Sequence, residues 1–200
     1  MEFLTHLWMP IVISAVVVFI ASAVLWMVLP FHKKDFTPPP DEASIQNAIR
    51  THGFKPGMYF IPWCRGGDMK DPALVERMKA GPWAMMIVPD GMPNFGRSLA
   101  IWFVNCLVIA AFVGYVASHA LAMGTPGTIV TGVAAAAKAG VPYLKVFQLV
   151  GAVTFLAHAG MAAHDTIWKG LSWRHAIVKM FDGLVYACLT AGIFGWLWPR

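Results

Sequence analysis

The chain has 200 residues, of which 58% are apolar and only 12% charged, and its net charge is +5. Ordinary soluble domains carry about 25% charged residues, so this composition excludes a conventional water-soluble enzyme and points to a chain that lives in lipid. The positive excess sits beside apolar runs, where it reports membrane orientation and attraction to anionic headgroups; nucleic acid is not an expected partner.

Four apolar runs, 11–29, 99–121, 143–163 and 177–198, are each long enough, or nearly so, to cross a hydrocarbon core of about 30 Å, which takes about 20 helical residues. The first is preceded by Glu2 and His6 but by no Lys or Arg. A secretory leader needs a basic start, so this run is expected to be a retained helix. Phe31, His32, Lys33 and Lys34 follow it and hold the next segment on one side.

Residues 31–97 read as a small folded insert. Pro38-Pro39-Pro40 makes a stiff, extended lead. Asp41 or Glu42 opens a helix to about Thr51, with Gly53 placed to close it. An aromatic strand follows at 58–63, then a helix from Asp71-Pro72 to about Lys79, stopped by Gly81-Pro82. A second strand at 83–88 and a Pro89-Asp90-Gly91 turn complete it. Two strands and some sixty residues bury little core, so the insert should lean on the helix ends or on a partner. Met58, Tyr59, Phe60, Trp63, Trp83, Met85 and Met86 would supply that surface. Further on, the small-residue segment 128–137 is too short to span and reads as interfacial, re-entrant or an extension of the third helix broken at Pro142.

Twelve of the fifteen Lys and Arg residues fall on the side of the insert and of the 164–176 connection, leaving Lys138, Lys145 and Arg200 on the other. By the positive-inside rule the insert is cytoplasmic and both termini are periplasmic or exterior, as in a multi-pass protein of a bacterial inner membrane. The expected fold is an all-α membrane protein: a four-transmembrane-helix bundle with a small α+β cytoplasmic insert between helices one and two. Residues 1–30 form the first helix, 31–97 the insert, and 98–200 the three helices that complete the bundle.

Ionisable groups inside apolar runs are functional candidates, because each costs several kcal/mol in lipid unless it faces protein or water. Counting helical rise from the cytoplasmic edge puts His158 and Asp182 at about 8 Å, Asn105 at about 9 Å and Ser22 at about 10 Å. These four make an expected intramembrane polar cluster, with a His158–Asp182 hydrogen bond at its centre. A second polar group, His164, Asp165, His175 and Lys179, belongs at the cytoplasmic edge. Such a layer either fixes helix register or handles protons, since a carboxylate–imidazole pair titrates near neutral pH. His32 and His52 read as solvated loop residues.

No cofactor or metal is called for. A bis-histidine haem needs two imidazoles at one depth on facing helices, and His158 has no such mate; no HExxH or HxxxH spacing supports a metal site. Cys106 and Cys188 read as small hydrophobes within membrane helices and Cys64 as a reduced thiol in the insert, with no CxxC. Nor can a nucleophilic triad, phosphate loop or dinucleotide fingerprint be assembled. The reading that remains is a non-enzymatic scaffold or accessory subunit of a larger membrane complex, its partners membrane lipids and a membrane protein or a second copy. The alternative is a small proton-coupled permease using the His/Asp pair. A weaker one is an interfacial lipid-acting enzyme using His164, Asp165 and His175.

Overall fold

Long apolar stretches without internal breakers satisfy their backbone only as helices where water is scarce. The computed structural model, which describes residues 2–65, 70–121 and 140–199, contains four helices long and apolar enough to cross a membrane. Helix α1 (Glu2–Ala23) begins well before the apolar run and carries Pro10 inside it. It ends in a π turn (Val24–Val28) and a 3-10 turn (Pro30–His32). The insert supplies α2 (Glu42–Thr51), β1 (Gly57–Ile61), α3 (Pro72–Ala80) and β2 (Ala84–Val88). Then come α4 (Phe95–Ala120), α5 (Tyr143–Ala159), α6 (Ala162–Lys169) and α7 (Trp173–Leu197). The 128–137 segment lies outside the described residues.

The third apolar run forms two helices rather than one. Gly160 sits at the break, where an added Cβ would lie 2.6 Å from the Leu156 carbonyl oxygen, so the chain turns where only glycine fits.

The chain divides into two compact units, residues 1–36 with 96–200, and residues 37–95. Phe31 to Phe36, counted with the insert by sequence, thus belongs with the bundle. In the bundle α1 presents Leu7, Ile11, Ala15 and Val18, and the π turn adds Leu25, meeting Cys106, Ala110 and Val113 of α4, Val146 and Val150 of α5, and Tyr186 and Phe194 of α7. The opposite faces carry exposed Trp8, Ile20, Ile101, Phe112 and Leu156. An apolar exterior of that extent is compatible with a lipid surround.

Helices α5 and α7 approach closely because one offers glycine where the other offers alanine. A Cβ on Gly183 would stand 2.7 Å from the Ala159 Cβ and 3.3 Å from its backbone nitrogen. Between apolar helices in lipid there is no hydrophobic drive to associate, so such backbone approach supplies the adhesion.

In the insert unit, Asp41 caps α2 by accepting from the Ser44 backbone N–H at 3.0 Å, and Asp71 caps α3 through the Ala73 N–H at 2.9 Å. β1 and β2 pair antiparallel, with Met58 opposite Ile87 and Phe60 opposite Met85. Leu74 of α3 is buried, and Phe54 and Tyr59 meet edge to face at 4.8 Å. The helix–strand–helix–strand order is the one the capping and breaker residues specify.

Gly183→Ala should destabilise the bundle by about 1–3 kcal/mol through overpacking against Ala159. Thermal unfolding of the solubilised protein tests this, and an unchanged midpoint would show that α5 and α7 can part without cost.

Candidate functional site

The residues just after α1 have no strand or long helix to hold them, yet His32 is buried. Its ring is clamped on three sides. Nδ1 lies 2.6 Å from Asp35 Oδ2, Nε2 lies 2.9 Å from Asp182 Oδ2, and the Trp26 indole stacks on its face at 3.9 Å and 9°. The three side chains His32, Asp35 and Asp182 are only 5%, 1% and 6% exposed.

Asp35 gathers the remaining charges. Arg174 Nη1 donates to its Oδ1 at 3.0 Å, and His175 Nδ1 stands 3.4 Å from its Oδ2. Arg174 also donates through Nη2 to the Phe31 carbonyl. Both residues sit in the first turn of α7, whose Ser172 cap accepts from the His175 N–H. A carboxylate at a helix N-terminus is further favoured by the helix dipole. The network therefore joins the end of α1, the turn after it and the start of α7.

The arrangement fixes a proton count. A neutral imidazole has one N–H and one lone pair, whereas here both ring nitrogens face carboxylate oxygens. Two ionised carboxylates can both be served only by an imidazolium donating from both nitrogens; otherwise one carboxyl must carry the proton. Either way the trio holds one proton more than a neutral imidazole between two carboxylates. With both nitrogens committed to carboxylates, His32 has no lone pair free for a metal.

The polar layer expected from the sequence is rearranged. Asp182 faces His32, not His158, so the expected His158–Asp182 hydrogen bond gives way to one spanning α7 and the post-α1 turn. His158 instead meets Tyr186 edge-on at 5.1 Å and Trp102 at 6.2 Å. Ser22 donates to the Phe19 carbonyl at 2.7 Å and accepts from Trp102 Nε1 at 2.9 Å, cross-linking α1 to α4. Asn105 is exposed on the outer side of α4, apart from the other three.

The edge group also divides. Asp165 pairs with Lys169 at 2.7 Å and lies 3.8 Å from His164 Nδ1, and Lys179 is near enough to favour its charge. His175 is turned to Asp35 instead. His32 and Asp35 are the residues the sequence reading missed, and His32 is the one it placed in solvent; His52 is exposed as expected. The available signal was Asp182 itself: a carboxylate that deep in an apolar run requires a cation, and His32 with Asp35 three residues on lies at the other span's end.

Burial opposes charge on Asp35, yet the His32 hydrogen bond, the His175 and His32 charges and the Arg174 hydrogen bond outweigh it and hold its carboxyl below the ordinary value. A carboxylate so lowered contributes its full stabilisation above the unfolded value of about 3.9, and loses it as pH falls through the lower folded value.

These features define a class: a helical protein whose four long apolar helices are compatible with multi-pass membrane insertion, with a buried ionic cluster at the end where residues 37–95 leave the bundle. No protein-family model, curated protein or solved structure matches the chain.

Two outcomes are expected. Asp182→Ala, by stripping Nε2 of its hydrogen-bond partner, should cost about 1–2 kcal/mol, the scale of interhelical polar contacts in membranes; denaturation of the reconstituted protein measures it. As pH is lowered from about 5, wild-type protein should lose stability more steeply than Asp35→Asn. Parallel curves would remove Asp35 from the source of the pH dependence.

Proposed function

We propose that the chain is a bacterial inner-membrane protein that acts as a non-enzymatic scaffold or accessory subunit, presenting residues 37–95 on the cytoplasmic side to a partner in a larger membrane complex. The observation that carries this reading is the apolar surface of the insert unit. Met58 and its cross-strand partner Ile87 are 61% and 67% exposed on one sheet face, with Trp63 at 70% beyond the strand end. Exposed apolar clusters of this kind on a small unit mark contact surfaces. The ion cluster fits the same reading, because its charges are spent on one another and hold the bundle together.

Ile87→Glu tests the surface. The variant should stay folded and lose a stoichiometric companion that co-purifies with wild type in mild detergent. An identical set of companions for both would overturn the reading. The orientation rests on the asymmetry of basic residues, and a cysteine placed at Pro38 should resist a membrane-impermeant thiol reagent in intact cells. Ready labelling would invert the topology.

A second reading, proton handling, is favoured by one observation: His32 lies between the carboxyl groups of Asp35 and Asp182 at the end of the apolar bundle. Asp182→Asn separates the two, since a scaffold survives loss of that charge whereas proton coupling does not. The third reading, a lipid-acting enzyme built on His164, Asp165 and His175, loses support from the engagement of His175 with Asp35.

A further inference from the structure

In the middle of the bundle, polar side chains from three helices line one small cavity of about 10 Å³. Ser14 of α1, Thr154 and His158 of α5, and Thr190 of α7 share its wall, and the rest is apolar. Four polar groups would not be expected to converge on a dry void among helices of this hydropathy. Engineered apolar voids stay empty, whereas polar ones of sufficient size take up water.

The hydrogen-bond ledger of these groups is incomplete. Thr154 is 1% exposed, and among the described residues its Oγ1 has no hydrogen-bond partner. A helical threonine commonly returns its hydroxyl to a carbonyl one turn back, as Ser14 does by donating to the Pro10 carbonyl at 2.6 Å. Thr154 does not. The His158 ring touches Tyr186 and Trp102 only as an aromatic, and among the described residues it makes no hydrogen bond. An imidazole always carries at least one N–H to donate.

We propose that this cavity binds one water molecule, held between Thr154 Oγ1 and the His158 ring, with the Ser14 and Thr190 oxygens as further neighbours. A single water needs about 10–15 Å³ and two to four polar partners, and the site meets both conditions. The water extends a polar column. Asp182, Tyr186 and Thr190 recur every four residues on the buried face of α7, and His158 rests against Tyr186. The column runs from the His32 cluster to the middle of the bundle and ends there, because Ala191, Phe194 and Gly195 continue the same face without a polar side chain. The inference stands apart from the scaffold and proton-handling readings of function, since it needs neither a partner nor a transported proton.

The test is water-edited solid-state NMR on the full chain, isotope-labelled and reconstituted in bilayers. Magnetisation from water should reach Thr154 and His158 several-fold faster than Val146 and Val150, which are fully buried on the same helix. Build-up at His158 no faster than at Val150 would overturn the site. In Thr154→Val, matched in shape but lacking the hydroxyl, transfer to His158 should fall several-fold; undiminished transfer would remove Thr154 as the holder. If that variant does not fold, Thr154→Ser keeps the hydroxyl and should retain the transfer, and its loss there would likewise count against the site.

Discussion

One imidazole flanked by two carboxylates organises the end of the bundle from which the insert departs. Without it, the turn after α1 would have only short π and 3-10 segments to define its path. Removing an ionised group from water is costly, and attraction in a low-dielectric setting repays that cost only when hydrogen bonds are also satisfied. The cluster meets this condition at Asp35, whose two oxygens are shared among His32, Arg174 and His175. It meets it less fully at Asp182, whose Oδ1 accepts no hydrogen bond among the described residues. The site is therefore tight toward the start of α7 and under-satisfied toward the interior.

The helices adhere by two different means. α5 and α7 rely on small residues and close backbones, with Gly183 against Ala159 as the tightest point. α1 packs through its apolar face and is tied further to α4 by the Ser22–Trp102 hydrogen bond, while the turn after it is tied to α7 through His32. Packing by glycine tolerates no added atom, while a polar cross-link tolerates a change of shape but not of chemistry. The two interfaces should thus respond to different kinds of substitution.

Much of the architecture was legible in the residues. Hydropathy marked the four long helices, and caps and breakers marked the insert: Asp41, Asp71 and Gly81 each sit where the elements they bound begin or end. Length was less legible. Polar Glu2 and His6 precede the apolar run that begins at Ile11 yet lie in α1, and Gly160 divides a run that looks continuous by composition. The site was half legible. Depth counting placed Asp182 among groups needing partners, but rise along a helix says nothing of which way a side chain points. Asn105 shares the estimated depth and faces outward. His32 was hidden by its setting, because Lys33 and Lys34 beside it made the whole segment read as solvated, whereas its partner lies far along the chain.

That separation bears on how the protein is made. His32 and Asp182 are 150 residues apart in sequence, with the insert, α4 and α5 between them. At about 5–20 residues per second of synthesis, the end of α1 waits on the order of ten to thirty seconds for its acceptor to emerge. During that interval His32 and Asp35 can pair with each other, while Arg174, His175 and Asp182 have yet to be made. The ionic network that fixes the turn after α1 is therefore completed only when α7 is made, whereas the Ser22–Trp102 link between α1 and α4 can form earlier.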